Sequence, residues 1–499
     1  MSKFNTASEN NPFTVNNCGW TAYSMDDKSK LVTQVLTSFF NESKFYGDNS
    51  EDLVETLKRV IEKDPKFVSN LAIFARKEFN MRSISHVLAG YLAHEPAGKP
   101  YVRRTLNNII LRGDDATEIL AFYLNTFGKP IPNSLRKGLR DVFTGFDSYT
   151  LAKYKGDGKS VKMRDILCLC HPAPKTEKQA DDWKALLEGN MKPAYTWETE
   201  LSAKGNNKET WEALIDSGKV GYMALLRNLR NILEASPDNL DTVLKRISDP
   251  EEVRKSKQLP FRYLSAYRNI PRGGYRYNSA DVLEALEKAA DAAVENLPKI
   301  PGKTVIAIDV SGSMHQKISS KSDIRCCDIS TLLGIIANRI CEKSIAMMFD
   351  TKIWEINIPK RNGILSAVDE FSHYGGGTDM SLPFNEMIDC DIDCDRIIIL
   401  SDNECNANFY SVGGRFYTRN VIDENPVVQQ YANIYRKETG KDIWVHAIDL
   451  CGYGTQQFAG KHTNIIAGWS EKVFEFITLA EQGVDTLIKR ISNYGGTTQ

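Results

Sequence analysis

Residues 304–313 read TVIAIDVSGS, and this stretch decides the fold of the C-terminal part of the chain. It opens with TVIAI, an aliphatic and β-branched run without Pro or Gly, which is the pattern of a strand buried on both faces of a parallel sheet. Asp309, Ser311 and Ser313 then follow at alternate positions. Open α/β sheets bind ligands at the carboxyl ends of their strands. Oxygen side chains crowded there need water, backbone donors or a hard cation such as Mg2+ as partners.

Two later segments supply further oxygen side chains. Residues 375–379 read GGGTD, and the glycines allow the backbone to approach a ligand closely. Residues 396–401 read RIIILS, a second buried-strand pattern that is followed by Asp402. The D-x-S-x-S segment alone is also compatible with a helix N-cap, but the N-cap interpretation does not explain the other two segments.

The order D-x-S-x-S, then T in a GGGTD loop, then D after an apolar strand resembles the metal-ion-dependent adhesion site of von Willebrand factor A domains. The resemblance implies a divalent metal, with Mg2+ as the expected ion, and one open coordination position that attracts an acidic side chain of a partner protein. The implied metal ligands, direct or through water, are Asp309, Ser311, Ser313, Thr378 and Asp402.

Strands and helices alternate through residues 299–499. This alternation predicts an α/β doubly wound, Rossmann-like domain. Residues 403–425, which contain adjacent glycines and several aromatics, are expected to form a long loop beside the metal site. The strand patterns are TVIAIDV, SIAMMF, RIIILS and IWVHAIDL, and helices are expected near residues 327–343, 380–387, 427–437 and 475–491.

The chain before residue 299 has helical periodicity instead. Apolar residues recur at spacings of three and four, and Pro, Gly, Asn or Asp interrupts them at short intervals. Stacked αα-hairpins of the HEAT type are therefore expected over residues 1–298, although no strict repeat fixes a period. The apolar stripes lie at residues 31–40, 53–61, 67–79, 84–92, 102–111, 119–127, 135–143, 222–233, 240–247 and 282–294.

The composition is that of a soluble globular protein. The 499 residues are 42% hydrophobic and 25% charged, with a mean hydropathy of -0.36, which is enough chain for two or more cores. No apolar run approaches a membrane span, and the first residues lack the parts of a signal peptide. The ten cysteines have no zinc-ligand spacing and are expected to be mostly reduced. We therefore expect a cytoplasmic protein that does not associate with membranes.

Charge is unevenly distributed, although the net charge is only -1. Residues 101–175 contain 13 basic and 7 acidic side chains, which makes this stretch the candidate surface for a polyanion. A solvated helix face explains each basic residue individually, whereas the cluster favours contact with phosphates. The candidate residues are Lys153, Lys155, Lys159, Lys162 and Arg164, with Arg136, Lys137 and Arg140 on the preceding helix.

A helical-repeat region followed by a von Willebrand factor A domain resembles the Ro ribonucleoproteins, whose TROVE module precedes the A domain. The resemblance implies an all-α, HEAT-like helical repeat ring over residues 1–298, followed by the α/β domain over 299–499. Segments similar to those of the family are NSLRKGLRDVF at 133–143, LAKYKGDGKSVKMRDILCLCHP at 151–172, MALLRNLRNI at 223–232, LPFRYLSAY at 259–267 and LSDNE at 400–404.

A Ro-type protein is expected to bind RNA without catalysis. The resemblance implies that small structured noncoding, Y-like RNA binds the basic outer surface and that single-stranded ends of misfolded RNA enter the ring cavity. An exoribonuclease is a further expected partner. His171 matches the closing histidine of the family segment and is implied to contact RNA, and Lys159 is the basic residue nearest to the family's loop arginine. Alternatively, His171 is a helix-end residue satisfied by a backbone carbonyl, since Pro172 follows it.

The residues alone leave two other classes of function to consider, an enzyme and a protein-interaction scaffold. A hard cation can activate water for hydrolysis, but no general base or nucleophile is placed near the predicted site. Phosphatases of the haloacid-dehalogenase type need a second Asp where Ser311 stands, and we therefore expect no enzyme. The remaining alternative is a metal-dependent protein-interaction scaffold without RNA, in which helical repeats hold a peptide.

Overall fold

The computed structural model divides the chain into two compact units. The helical unit consists of Lys44–Gln258, Arg262–Ala293 and Ile488–Gln499, and the α/β unit consists of Met1–Ser43, Leu259–Phe261 and Val294–Leu487. The residues that the structure describes are 13–15, 21–37, 50–270, 279–295, 297–317, 323–360, 363–371, 375–404, 409–412, 415–418, 427–459, 462–468, 473–481 and 487–495.

Short helices with short links make up most of the chain before residue 299. Two short strands, β1 (Phe13–Val15) and β2 (Thr21–Ser24), precede them. The helices are α1 (Asp27–Thr37), α2 (Ser50–Lys63), α3 (Pro65–Lys77), α4 (Ser83–His94), α5 (Lys99–Ile109), α6 (Gly113–Phe127), α7 (Asn133–Phe143), α8 (Ser148–Lys153), α9 (Met163–Cys170), α10 (Glu177–Glu188), α11 (Trp197–Lys204), α12 (Lys208–Asp216), α13 (Tyr222–Arg227), α14 (Leu229–Ala235), α15 (Leu240–Ser248), α16 (Pro250–Ser256), α17 (Pro260–Arg268) and α18 (Ser279–Val294).

Helix α3 shows how local sequence and packing combine in the helical unit. Asp64 caps its first turn by accepting a hydrogen bond from Phe67 N at 3.0 Å, and Pro65 occupies the first helical position, where no amide donor is needed. Every residue from Phe67 to Arg76 is buried, and α3 contacts both α4 and α5. Contacts with the next helix or with the next but one continue along the chain as far as α10. These are stacked αα-hairpins, which confirms the predicted helical-repeat fold class.

The end of the chain belongs to the helical unit as well. Tyr494 O accepts a hydrogen bond from Arg104 Nη2 at 3.2 Å, and Tyr494 OH donates one to Glu78 Oε1 at 2.7 Å. The Tyr494 ring meets Phe74 edge-on, with ring centroids 5.3 Å apart. Partly buried hydrogen bonds and an aromatic contact therefore fix residues near 494 against helices α3 and α5.

The α/β unit contains the other strands and helices. The strands are β3 (Ile300–Asp309), β4 (Cys341–Phe349), β5 (Ile353–Ile356), β6 (Arg396–Ser401), β7 (Phe409–Val412), β8 (Arg415–Thr418), β9 (Trp444–Asp449), β10 (Thr455–Gln456) and β11 (Thr463–Ala467). The helices are α19 (Cys326–Ile340), α20 (Ile364–Phe371), α21 (Leu382–Asp389), α22 (Val427–Thr439) and α23 (Val473–Glu481), and α24 (Leu487–Ser492) continues into the helical unit.

A six-stranded sheet in the order β11-β9-β6-β3-β4-β5 forms the core of the α/β unit. Neighbouring strands are parallel, except that β5 pairs with β4 antiparallel. Strands β3 and β6 are buried almost throughout, as their apolar runs predicted, so the predicted α/β fold class is confirmed. Strand β5 was not predicted, because IWEI is a partly exposed edge strand without a continuous apolar run.

The segment 403–425 contains an antiparallel hairpin, because β7 pairs with β8. Within it, residues 405–408, 413–414 and 419–425 lie outside the described residues. The predicted helix over 475–491 is present as α23 and α24, and residues 482–486 between them are also outside the described part.

The boundaries of the two compact units differ from the predicted division into residues 1–298 and 299–499. Strand β2 pairs with β10, and helix α1 contacts β11 and buries Leu31, Val35 and Leu36, so this N-terminal segment belongs to the α/β unit. An apolar stripe in the sequence shows that a helix buries one face, but it does not show which core receives that face. Among the described helices, none is long and apolar enough to cross a membrane.

Candidate metal centre and nucleic-acid interface

The D-x-S-x-S segment begins where β3 ends, between the neighbouring strands β4 and β6. Asp309 and Ser311 are fully buried. Asp309 Oδ1 accepts a hydrogen bond from Ser311 N at 2.8 Å, and Asp309 Oδ2 accepts one from Ser401 Oγ at 2.6 Å. The hydroxyls of Ser311 and Ser313 are 3.2 Å apart. The strand end therefore gathers carboxylate and hydroxyl oxygens at one point, as predicted from the sequence.

The glycine-rich segment lies against this loop through backbone hydrogen bonds. Gly375 N donates to Val310 O at 3.1 Å, and Gly312 N donates to Gly376 O at 2.7 Å. A Cβ atom on Gly312 would lie 3.0 Å from Gly376 O, so this close approach favours glycine. Thr378 is buried in the same segment. The structure thus brings two of the three predicted segments into direct contact.

Asp402 follows β6 and completes the set of predicted metal ligands. It is buried, and its Oδ1 accepts a hydrogen bond from Glu404 N at 3.1 Å. Its Oδ2 has no hydrogen-bond partner among the described residues. Burial raises the pKa of both Asp309 and Asp402, and the charge of Asp402 raises that of Asp309 further. A divalent cation would offset both the cost of burying these two negative charges and the repulsion between them.

The donor set suits a hard cation. It consists of oxygens only, and hydroxyls outnumber carboxylates, which is compatible with Mg2+ that retains water ligands. Within the described ranges, no cluster of three or more His, Cys, Asp or Glu side chains is arranged to hold a metal ion. The candidate centre therefore depends on Ser311, Ser313 and Thr378 as much as on its two aspartates.

Sequence reasoning did not identify Asp449, a third carboxylate at this edge of the sheet. Asp449 ends β9 opposite Ser401 of β6 and is fully buried. Cys451 N and Gly452 N donate to Asp449 Oδ1 at 2.9 and 2.8 Å, whereas Oδ2 has no partner in the described part of the chain. Burial raises its pKa to about 7. The available signal was its position at the end of the predicted strand IWVHAIDL.

The predicted basic residues lie on α7, α8, α9 and the loop between α8 and α9. Lys162 precedes α9 and Arg164 is in its first turn, whereas His171 follows its last residue. His171 is exposed, has a left-handed backbone (φ 47°), and its amide donates to Leu167 O at 3.1 Å. Residues predicted to contact RNA therefore lie at both ends of α9.

Helix α7, which carries the predicted Arg136 and Arg140, packs against α9. Burial raises the pKa of the Cys170 thiol to about 11, and the charges of Arg136 and Arg140 oppose this increase. Lys137, on the same helix, is exposed.

Most predicted cations have only weak partners. Lys155 Nζ lies 2.5 Å from Asp157, Lys159 Nζ lies 3.3 Å from Glu118, and Arg164 Nε lies 3.9 Å from the adjacent Asp165. Exposed ion pairs of this kind contribute about 0–1 kcal/mol. A polyanion can therefore compete for these side chains at little cost in stability. Tyr149, which lies beside Lys153, and Arg112, which lies beside Tyr154, were not singled out by sequence reasoning.

Two family models match the chain. The TROVE domain model matches residues 23–194 and 189–280, and the Ro60 vWA domain model matches residues 303–412. The TROVE matches include the basic helices α7, α8 and α9. The Ro60 vWA match includes the D-x-S-x-S segment, the GGGTD segment and Asp402 of the candidate metal centre.

Several known proteins are similar to this chain. The RNA-binding protein RO60 of Deinococcus radiodurans is 23% identical over 452 residues, which are 78% of this chain and 83% of that protein. RO60 of Caenorhabditis elegans is 28% identical over 217 residues, 40% of this chain and 32% of that protein. Telomerase protein component 1 of Rattus norvegicus is 25% identical over 327 residues, and the match spans only 12% of that longer protein.

A solved structure shares the fold. The crystal structure of the Deinococcus radiodurans RO (RSR) protein aligns with a TM-score of 0.61 at 17% sequence identity. The alignment covers 91% of this chain and 100% of that chain. The helical-repeat and α/β architecture is therefore shared almost from end to end.

Proposed function

Because this chain belongs to the Ro family, with a TROVE region followed by a Ro-type von Willebrand factor A region, we propose that it is an RNA-binding protein without catalytic activity. Relatives from two organisms are named RNA-binding proteins. One structural observation carries the proposal. Basic residues lie on α7, which packs against α9, at the end of α8, in the loop before α9 and at the start of α9, and the ion pairs of Lys159 and Arg164 are weak.

The finer proposal concerns the kind of RNA. A small structured, Y-like RNA would place its phosphates against Lys155, Lys159, Lys162 and Arg164, and His171 would contact the same RNA. Single-stranded ends of misfolded RNA would be a second ligand, and an exoribonuclease would be a protein partner in RNA quality control. The exposed position of His171 at the end of α9 supports its part in this proposal.

The candidate metal centre would bind Mg2+ for protein recognition. Asp309, Ser311, Ser313, Thr378 and Asp402 would hold the ion, directly or through water, and the ion would supply a point of attraction for an acidic side chain. The buried carboxylates of Asp309 and Asp402 and the unpartnered Oδ2 of Asp402 support this proposal. The residues of the chain would orient the ion and exclude bulk water.

The direct test is purification of the full chain from its host, followed by absorbance measurement and sequencing of any bound RNA. We expect co-purifying RNA, a gel shift with folded RNA at low salt, and a steep loss of affinity as salt increases. Protein with the absorbance ratio of bare protein and no gel shift would overturn the RNA proposal. RNA-free protein that binds an acidic peptide only with Mg2+ would instead favour the scaffold alternative.

A further inference from the structure

Aromatic and cationic side chains meet where α8 ends. Lys153 Nζ lies 5.6 Å from the ring centroid of Tyr149 and 5.4 Å from that of Tyr154. Arg112 Cζ lies 5.5 Å from the Tyr154 centroid. These distances are within the range of cation–π interactions. We call these four residues the tyrosine platform.

The platform is accessible to a ligand. Tyr149 is 51% exposed, and the side chain of Arg112 is 48% exposed. Leu111, which precedes Arg112, is 55% exposed and adds apolar surface next to it in the chain. A half-exposed aromatic ring held beside a cation offers a flat apolar face and a positive charge to the same ligand.

The charges of the platform favour an anionic ligand. Arg112 is paired with Asp114, since its Nε lies 3.2 Å from Asp114 Oδ1. Lys153, by contrast, contacts the rings of Tyr149 and Tyr154 and forms no ion pair with a residue in the described part of the chain. Its ammonium group is thus the cation that is available to a phosphate.

The platform is also held in place before any ligand binds. Asp147 caps α8 by accepting a hydrogen bond from Thr150 N at 2.8 Å. The Tyr154 ring packs against Gly113, where an added Cβ would lie 2.8 Å from Tyr154 Cδ2. A pre-positioned surface loses little conformational entropy on binding.

We propose that the tyrosine platform binds unpaired RNA: one base stacks on Tyr149 while Lys153 contacts the adjacent phosphate. The proposal rests on the RNA-binding function above and names single-stranded RNA as the ligand of this surface. Stacking of unpaired bases on aromatic rings, with cations along the backbone, is the usual chemistry of single-strand recognition. Bases inside a duplex are stacked on each other and cannot use the ring.

The test compares variants of the full chain by fluorescence anisotropy with a labelled 12-nucleotide oligouridylate and a labelled RNA hairpin that has a fully paired stem, a blunt end and a tetraloop whose bases stack on one another. We expect Tyr149→Ala to weaken oligouridylate binding about tenfold, whereas Tyr149→Phe, which keeps the ring, stays within about twofold of wild type. Hairpin affinity should remain within about twofold of wild type for both variants. Tyr195→Ala is the matched control, because Tyr195 is 39% exposed and lies 5.0 Å from Lys219 Nζ, outside the platform.

Two outcomes would contradict the proposed role of the tyrosine platform without contradicting RNA binding by the protein. One is wild-type affinity of Tyr149→Ala for oligouridylate in a protein that binds the hairpin, and the other is an equal loss in Tyr195→Ala. Failure of the wild type to bind either RNA contradicts the proposed function itself. Circular dichroism spectra and thermal midpoints, which should match wild type for these exposed positions, show that any loss is local.

Discussion

Ser401 Oγ donates a 2.6 Å hydrogen bond to Asp309 Oδ2, and this bond joins the ends of the adjacent strands β6 and β3. With Ser311 N as the second donor, both carboxylate oxygens of Asp309 are held by the protein. Asp402, in contrast, keeps Oδ2 without a partner among the described residues. The two aspartates of the candidate metal centre are therefore not equivalent: Asp309 is fixed in place, and Asp402 has an oxygen left to bind an ion.

Removal of either aspartate should abolish metal binding. We expect Asp309→Ala and Asp402→Asn to show no binding of Mg2+ or Mn2+ in titration calorimetry, because each substitution removes a carboxylate from the centre. Asp395→Asn is the control, since Asp395 is exposed at the opposite end of β6 and accepts a hydrogen bond from Lys303 N at 2.7 Å. RNA affinity should be unchanged in all three variants. Loss of both metal and RNA binding would contradict two separate sites.

Mg2+ should stabilise the wild-type α/β unit and not the Asp402→Asn variant. A ligand at about 100 times its dissociation constant contributes about 2.7 kcal/mol to the folded state. Without metal, burial and the neighbouring carboxylate disfavour ionised Asp309 and Asp402, as their raised pKa values indicate. Metal-free Asp402→Asn should therefore be at least as stable as metal-free wild type. Thermal unfolding with Mg2+ and with EDTA measures this difference, and a metal-free variant that melts well below wild type would contradict it.

The basic cluster should dominate the salt dependence of RNA binding. The triple substitution Lys153→Ala, Lys155→Ala and His171→Ala removes two permanent cations and one imidazole, so we expect weaker binding of folded RNA and a shallower salt slope, by roughly one unit per lost phosphate contact. The control is Lys204→Ala with Lys288→Ala, since these lysines pair with Glu200 and Glu284 one turn away on other helices. Equal slopes for the two variants would show that only net charge matters.

The strands that end at the candidate metal centre could be predicted from the sequence because a buried parallel strand must be continuously apolar, and ligand-binding residues of such sheets follow directly after it. Asp309, Ser311 and Asp402 could be located in that way. Ser401 was missed, since its hydrogen bond to Asp309 on the neighbouring strand depends on register, which a single strand pattern does not contain. Asp449 was missed although its position at the end of a predicted strand was visible in the sequence. Tyr149 was missed for a related reason. Its proximity to Lys153 on α8 is visible in the sequence, but its exposure depends on which helices pack nearby.

A buried ionic cluster around Asp115 joins three helices of the helical unit. Arg76 Nη2 and His86 Nε2 each lie 3.2 Å from an Asp115 oxygen, and Arg82 Nε donates to Asp115 Oδ1. Burial alone would raise the pKa of Asp115, but the contact with His86 and the charge of Arg82 hold it well below its ordinary value. Asp115 therefore remains ionised in the folded protein, and α3, α4 and α6 depend on its charge.

Asp115→Asn should destabilise the helical unit by about 3–5 kcal/mol, because the substitution leaves the buried Arg76 without its counter-charge. Asp114→Asn is the matched control, since the Asp114 side chain is 24% exposed and its loss should cost less than about 1 kcal/mol. A group with a lowered folded pKa contributes its full stability above the unfolded value of 3.8 and loses it as the pH falls further. Wild type should thus lose stability below pH 3.8 more steeply than Asp115→Asn. Urea unfolding, with hydrogen exchange of α3, α4 and α6 to identify the unit that opens, tests both statements, and parallel pH profiles of the two proteins would refute the assigned role of the Asp115 charge.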